Sequence, residues 1–236
     1  MTDSKRLFVG VRVSVATANA LAGAAETLAR RAKDTGVDVR WVAPMNYHVT
    51  LKFLGSTHVA TISGVRDTLE RATENTPRIS FRTARLGGFP SLDKTRVVWA
   101  GIDDQGSISE LANRISEGCA RLGFAASQPF HPHVTLGRLR ETRPLRDIVL
   151  PLSEQMFGDT RIDAITLFES ETKSSGSVYS ELTRIAFKTG QSAPLEGSER
   201  QTSGVQLGTN ESPVDTSLDT SLDTDDGWPR GHVPNT

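Results

Sequence analysis

The chain has 236 residues and a formal net charge of −1 at neutral pH. Its single cysteine, Cys119, excludes an internal disulfide, and no apolar run approaches the roughly 20 residues that a membrane helix requires. Because the N-terminal run MTDSKRLFVGVRV also lacks a long apolar segment followed by a small-residue cleavage site, we expect a cytoplasmic protein with no membrane attachment.

The near-neutral total hides a division of charge along the chain. Residues 190–236 contain two basic and eight acidic residues, which leaves 25 basic and 20 acidic residues in 1–189. The C-terminal segment is rich in Ser, Thr, Gly, Asp and Pro, contains the imperfect repeat TSLDTSLDTDD, and has little apolar surface to bury. We therefore predict a folded domain over 1–189 and a disordered, acidic, low-complexity tail over 190–236, in which Trp228 is an isolated exposed aromatic.

The apolar pattern of the folded part contains an approximate repeat of strand, helix and the tetrapeptide His-Val-Thr-Leu. The first copy runs from RLFVGVRV to HVTLKFLG, and the second runs from TRVVWAGI to HVTLGRL. In each copy the intervening helix carries an apolar stripe at helical spacing. The stripe residues are Leu21, Ala25 and Leu28 in the first helix, and Ile108, Leu111, Ile115, Cys119 and Leu122 in the second. Cys119 is therefore expected to be a buried, inert thiol.

Further elements lie between and after the two copies. A third helix carries Ile62, Val65, Leu69 and Ala72 in register, and strands are predicted near 79–86, 163–168 and 178–187. Together the elements predict an α+β fold of two pseudo-symmetric lobes. Each lobe is expected to be a small, mostly antiparallel sheet with outer helices, and the lobes are expected to face each other across a central cleft, where equivalent residues of the repeat meet.

The two identical tetrapeptides each place a histidine and a threonine on one face of a strand. Side chains alternate along a strand, so His48 shares a face with Thr50, and His133 shares a face with Thr135. The valine and leucine of each motif take the opposite face and are expected to pack in the core. One such tetrapeptide is an ordinary surface strand. Two copies in equivalent places of a repeat are not required by packing, and they indicate a shared functional site.

Paired imidazoles and hydroxyls suit hydrolysis of a phosphodiester. Histidine titrates nearest neutral pH, so one ring can take a proton from water while the other protonates the departing oxygen. In-line displacement puts the attacking and leaving oxygens on opposite sides of phosphorus, and threonine hydroxyls can donate to the non-bridging oxygens. A strained cyclic phosphate is a substrate that these groups can open without a metal. The residues alone do not decide which histidine is the acid.

The paired motifs resemble the two His-x-Thr-x motifs of the 2H phosphoesterase superfamily, and the chain looks most like the bacterial RNA 2′,3′-cyclic phosphodiesterases, also known as 2′-5′ RNA ligases. The resemblance covers residues 5–187 and is carried by RLFVGV, WVAPMNYHVTLKFLG, GGFP, RVVWAGI, PFHPHVTLGRL, LFES and GSVYSEL. It implies hydrolysis of RNA 2′,3′-cyclic phosphate ends to 2′-phosphates, and a reverse type of reaction that joins ends through a 2′-5′ bond. It also implies that His48 is the proton donor and that His133 activates water.

The resemblance implies that Arg138 contacts the phosphate, beside Thr50 and Thr135. Strand parity counted from His133 puts Arg138 on the opposite face, unless Gly137 introduces a bulge that re-aims it.

Other side chains near the motifs have two interpretations each. Lys52 has the parity of His48, so it has either a secondary electrostatic role or a solvated place at the end of its strand. Phe89 and Phe130 are either a stacking surface for a base or core residues.

Three alternative functions stay open. His131 and His133 have the spacing of a metal-ligand pair, but no third ligand is placed like a metal motif, so we expect neither a metal nor a cofactor. The protein could instead bind RNA ends without turning them over, although both complete motifs argue against this. The substrate could also be a small cyclic nucleotide or an ADP-ribose cyclic phosphate rather than an RNA end, such as that of a tRNA fragment. We expect a monomer.

Overall fold

The structure is a computed structural model that describes residues 3–125, 129–173 and 176–188. The tail predicted over 190–236, with Trp228, lies outside the described residues, and its disorder stays a prediction.

Within the described ranges the chain forms nine strands and four α-helices. The strands are β1 (Ser4–Arg12), β2 (Arg40–Trp41), β3 (His48–His58), β4 (Ile79–Phe89), β5 (Thr95–Asp103), β6 (His133–Arg143), β7 (Met156–Ile162), β8 (Ala164–Lys173) and β9 (Gly176–Ala186). The helices are α1 (Val15–Asp34), α2 (Ile62–Thr73), α3 (Ser107–Ala120) and the single turn α4 (Arg146–Val149). Short 3₁₀ turns cover Pro44–Asn46, Val59–Thr61 and Leu150–Leu152. None of the helices in these ranges is long and apolar enough to cross a membrane.

All nine strands belong to one antiparallel sheet with the order β7-β4-β5-β6-β3-β1-β8-β9, and β2 pairs with β6 at the side. The order is pseudo-symmetric about the centre, because β6-β5-β4-β7 repeats the arrangement of β3-β1-β8-β9. The predicted α+β class with two pseudo-symmetric, antiparallel halves is confirmed. The two halves share one continuous sheet, in which the pairing of Val49 with Val134 joins β3 of one half to β6 of the other.

The two halves exchange their long helices. Helix α1 follows β1 but packs against β7 of the other half. There the backbone N–H of Ser14 donates to Thr160 Oγ1 over 3.0 Å, and its hydroxyl donates to the carbonyl of Asp159 over 3.1 Å. In the same way α3 follows β5 but packs against β3, where Lys52 Nζ donates to Ser116 Oγ over 3.2 Å. Each half-sheet is therefore covered in part by a helix that the other half supplies.

The helices cover one face of the sheet and leave the other face open. The predicted helix stripes are buried, except that Ile62 is half-buried and Leu122 is 38% exposed because α3 ends at Ala120. Val49 and Val134 point into this core. Cys119 is fully buried as predicted, and burial raises the pKa of its thiol.

Candidate active site

A β-bulge lies at the leucine of the first motif. Thr50 pairs with Gly10 and Lys52 pairs with Val9, so the pairing skips Leu51. A bulge of this kind sends two consecutive side chains to the same side of the sheet. Lys52 therefore points to the helix side, where it is only 4% exposed and donates to the carbonyl of Ala125. Burial lowers the pKa of the Lys52 ammonium. The prediction that Lys52 shares the parity of His48 is wrong, because the bulge reverses that parity.

The second motif has the same bulge at its leucine. Thr135 pairs with Trp99 and Gly137 pairs with Val98, so the pairing skips Leu136. Arg138 pairs with Val97, which alternation along β5 places on the face of Trp99. Arg138 therefore lies on the same face as Thr135. The re-aiming bulge that the sequence allowed for is present, and the skipped residue is Leu136 rather than Gly137.

The backbone fixes the orientation of the His48 ring. Its Nδ1 lies 2.6 Å from the carbonyl oxygen of Asn46, and its Nε2 lies 3.0 Å from Thr50 Oγ1. Because a carbonyl only accepts, Nδ1 carries the proton, and Nε2 is directed at the open face. The Asn46 side chain is held in turn, since its Nδ2 donates to the carbonyl of Ser177 on β9 over 3.1 Å.

The His133 ring is held in the equivalent way. Its Nδ1 lies 2.7 Å from the carbonyl oxygen of His131, again two residues earlier in the chain. Its Nε2 is therefore also directed at the open face. The His131 side chain is exposed. Among the described residues, no group of three or more His, Cys, Asp or Glu side chains is placed to hold a metal ion.

The sheet register brings the two motifs together. Val49 and Val134 are direct antiparallel neighbours with side chains in the core, so the flanking residues of both strands face the open side. The register of this pair sets Thr50 opposite His133 and sets Thr135 opposite His48. All four of these predicted site residues are half-buried, which leaves them accessible from the open face of the sheet that they line, called the cleft from here on.

Three aromatic rings lie around His48, and one contacts His133. The ring centroid of His48 lies 4.8 Å from that of Phe8, 5.3 Å from that of Tyr179 and 6.3 Å from that of Phe168. The centroid of His133 lies 5.1 Å from that of Phe89, in an edge-on arrangement. Phe8, Phe168 and Tyr179 were not singled out from the sequence, although the fragments RLFVGV, LFES and GSVYSEL contain them.

The two predicted stacking candidates have different places. Phe89 lies on the open face between His133 and Trp99, with its centroid 5.2 Å from that of Trp99. Phe130 is half-buried and packs against the core. Only Phe89 of the two contacts a motif histidine in the described part of the chain.

Arg12 is a further residue of the site that the sequence did not reveal. It is the cross-strand partner of His48 in the pairing of β1 with β3. Its guanidinium lies 5.1 Å from the ring centroid of Phe168, its Nε donates to Glu181 Oε1 over 3.1 Å, and its Nη1 donates to the carbonyl of Met45. These contacts hold a positive charge at the edge of the cleft.

Burial among the aromatic rings lowers the pKa of His48 to about 4. The hydrogen bond to the Asn46 carbonyl acts in the opposite direction, whereas the charges of Arg12, Arg138 and His133 lower the pKa further. His48 is therefore neutral at pH 7 in the protein without ligand.

Proteins similar to this chain in sequence carry the name RNA 2′,3′-cyclic phosphodiesterase. The sequence model of the 2′-5′ RNA ligase superfamily matches residues 17–174. An RNA 2′,3′-cyclic phosphodiesterase of Archaeoglobus fulgidus is 33% identical over 145 residues, which are 61% of this chain and 81% of the relative. One of Thermotoga maritima is 26% identical over 190 residues, which are 78% of this chain and 97% of the relative.

Solved structures share the fold. The crystal structure of TT0787 of Thermus thermophilus matches with a TM-score of 0.67 and 25% identity, over 79% of this chain and 100% of that one. Escherichia coli LigT in its apo form matches with a TM-score of 0.57 and 23% identity, over 78% of this chain and 98% of that one, and it shows likeness of fold alone. With both motifs on one face and the superfamily model matched across most of the domain, the chain belongs to the 2′-5′ RNA ligase superfamily.

Proposed function

We propose that the protein hydrolyses 2′,3′-cyclic phosphate ends of RNA to 2′-phosphates, with His48 and His133 as a general acid and base and without a metal. The observation that carries this proposal is the pair of imidazoles on neighbouring strands, each with Nδ1 bound to a backbone carbonyl and Nε2 directed at the cleft. The name that relatives from several organisms carry, RNA 2′,3′-cyclic phosphodiesterase, supports the same chemistry.

In the proposed reaction, water attacks phosphorus as His133 Nε2 removes its proton. The bond from phosphorus to the ribose 3′-oxygen breaks, and His48 Nε2 protonates that oxygen. The phosphate keeps its bond to the 2′-oxygen, so the product is a 2′-phosphate with a free 3′-hydroxyl. A 5′-hydroxyl of a second RNA in place of water would give a 2′-5′ linkage by the same steps, and this is the proposed reverse type of reaction.

The negative charge of the substrate prepares His48 for its role. An incoming phosphate lies among Thr50, Thr135 and Arg138, with Arg12 beside His48. The negative charge of the phosphate favours the imidazolium and acts against the burial and the arginine charges that lower the pKa of His48, so the pKa of His48 rises on binding and the ring gains the proton that it later donates. Thr50 contacts His48 Nε2 in the structure, and in the proposed complex its hydroxyl donates to a non-bridging oxygen instead.

The test is hydrolysis of a short RNA that ends in a 2′,3′-cyclic phosphate, with excess chelator and with identification of the product. We expect a 2′-phosphate, and no turnover by His48→Ala or His133→Ala. The control is His58→Asn, at an exposed histidine outside the cleft whose side chain caps the turn after β3, a role that Asn can also fill. Activity that needs added metal, or retained turnover in either motif variant, would contradict the proposal. Turnover of small cyclic nucleotides without turnover of RNA would identify small cyclic nucleotides, rather than RNA ends, as the substrate class.

A further inference from the structure

A cavity on the helix side of the sheet is lined by three arginines. It has a volume of about 250 Å³ and lies between α2 and α3. Its lining includes Thr68, Arg71, Arg114, Glu117, Gly118 and Arg121. Three guanidinium groups against one carboxylate leave the cavity with a net charge of +2. Because the motif histidines face the open side of the sheet, this cavity is separate from the cleft.

The cavity depends on a close approach of the two helices. A Cβ at Gly118 would lie 2.6 Å from Thr68 Cγ2, so α3 comes closer to α2 here than a larger residue allows. Arg114 lies about one turn before Gly118 and Arg121 about one turn after it, so both are on the same face of α3, about 10 Å apart along its axis. Arg71 lies in the last turn of α2. The cations therefore come from both walls of the cavity.

The arginines of the cavity are held by hydroxyl groups rather than by carboxylates. Arg71 Nη2 donates to Thr68 Oγ1 over 3.1 Å, and Arg114 Nη2 donates to Thr76 Oγ1 over 3.0 Å. Thr76 is buried and Arg114 is half-buried, which fixes the place of the Arg114 guanidinium. Other arginines pair with carboxylates, but no ion pair between described residues includes Arg71, Arg114 or Arg121. These three side chains therefore keep their positive charge for a ligand.

We propose that this cavity binds a phosphate of the RNA backbone, on the 5′ side of the nucleotide that carries the cyclic phosphate. This inference rests on the proposed function, which makes RNA the substrate. Guanidinium groups on two walls match the charge and the hydrogen-bonding geometry of phosphate oxygens. Contacts of this kind position a nucleic acid without reading its sequence.

The route from the cleft to the cavity passes the edge of the sheet. His48 belongs to the half of the sheet that ends in the edge strand β9, and α2 packs against β9 from the helix side. An RNA that leaves the cleft over β9 therefore reaches α2 and α3. The path is longer than the three strand spacings of about 4.8 Å that separate β3 from β9, so a dinucleotide does not span it.

The test compares two RNAs with the same 2′,3′-cyclic phosphate end, one a dinucleotide and the other about 20 nucleotides long. We expect Arg71→Gln combined with Arg121→Gln to raise KM for the longer RNA roughly 3- to 30-fold, the usual worth of two exposed charge contacts, and to leave the dinucleotide unchanged. KM for the longer RNA should also depend less on salt, because each lost phosphate contact lowers the slope by about 0.7. Arg71→Lys combined with Arg121→Lys should restore the low KM by restoring the charge.

The matched control is Arg82→Gln combined with Arg146→Gln, which removes the same charge from two exposed ion pairs in the other half. If the wild type is active, an unchanged KM for the longer RNA, or an equal rise in the control or with the dinucleotide, overturns the cavity as an RNA site. If the wild type turns over neither RNA, the proposed function fails, and fluorescence anisotropy with the longer RNA ending in a 3′-hydroxyl decides. Weaker binding by the Arg71 and Arg121 double Gln variant, but not by the control, then supports the site, and equal binding overturns it.

Discussion

Arg12 and His48 are direct neighbours across β1 and β3, and the guanidinium of Arg12 is fixed by an ion pair with Glu181 and by the Phe168 ring. The pairing gives His48 a permanent cationic neighbour on the open face. It also explains part of the low pKa of His48, because a like charge disfavours the imidazolium. Two properties of the proposed reaction follow from it, namely phosphate affinity and the timing of protonation.

Replacement of Arg12 by Gln is expected to weaken phosphate binding and to raise the pKa of His48 in the free protein. Loss of a charged hydrogen bond to the phosphate corresponds to roughly a 10- to 100-fold drop in kcat/KM. Steady-state kinetics and NMR titration of His48 measure the two effects. Arg82→Gln, which breaks the exposed pair with Asp159 away from the cleft, is the matched control. An unchanged kcat/KM in Arg12→Gln would remove Arg12 from the site.

The pKa of His48 is expected to depend on ligand. NMR titration of the free protein should give a value of about 4, and addition of a nucleoside 2′-monophosphate should move it upward. The bound anion raises the pKa because it stabilises the imidazolium beside Arg12 and Arg138. A pKa that stays low in the complex would be incompatible with His48 as the proton donor.

His48 also makes folding sensitive to acid. Its folded-state pKa of about 4 lies below the ordinary value of 6.5, so the unfolded chain binds more protons between these two values. Stability is therefore fully present above pH 6.5 and is lost as the pH falls towards 4, by up to about 3 kcal/mol from this one group. Denaturant unfolding of the wild type and of His48→Asn at several pH values isolates the contribution. If the free energy of unfolding changes with pH in the same way for both proteins, His48 does not make the expected contribution.

Gly10 is expected to be essential for the placement of His48. A Cβ at Gly10 would lie 2.9 Å from the carbonyl oxygen of Val49 and 3.4 Å from His48 Cδ2. Gly10→Ala should therefore displace both the strand and the ring, and lower kcat roughly tenfold or more, since small misplacement of a catalytic group is costly. Gly23→Ala in α1, where a Cβ would meet nothing within 4 Å, should keep activity and raise stability by about 0.5–1 kcal/mol. Equal activities of the two variants would contradict the expected crowding.

The motif faces could be predicted from sequence because they depend on a few consecutive residues. His48 and Thr50 obey strand alternation, and the helix stripes obey helical spacing, without reference to distant parts of the chain. The predicted face of Lys52 was wrong because the bulge before it depends on the pairing with β1. For Arg138, the sequence allowed a bulge that would re-aim the side chain but did not predict that the bulge is present.

Residues from distant strands could not be predicted by local pattern. Arg12 and Tyr179 reach His48 because β1 and β9 belong to the same half-sheet, and nothing in their own segments encodes that order. Strand β7 was missed since its buried residues, Phe157, Thr160 and Ile162, break strict alternation at Gly158, which has a φ of +119°. The exchange of α1 and α3 has no sequence signal either. The order of strands and helices along the chain is the same whether a helix packs on its own half-sheet or on the other one.

The exchange of α1 and α3 has a consequence for whether the two halves can exist as separate polypeptides. Since α1 packs against the half that contains β7, and α3 packs against the half that contains β3, a polypeptide corresponding to one half would lack a helix that covers part of its sheet. The two halves are therefore expected not to fold separately, and each motif histidine depends on both halves for its support.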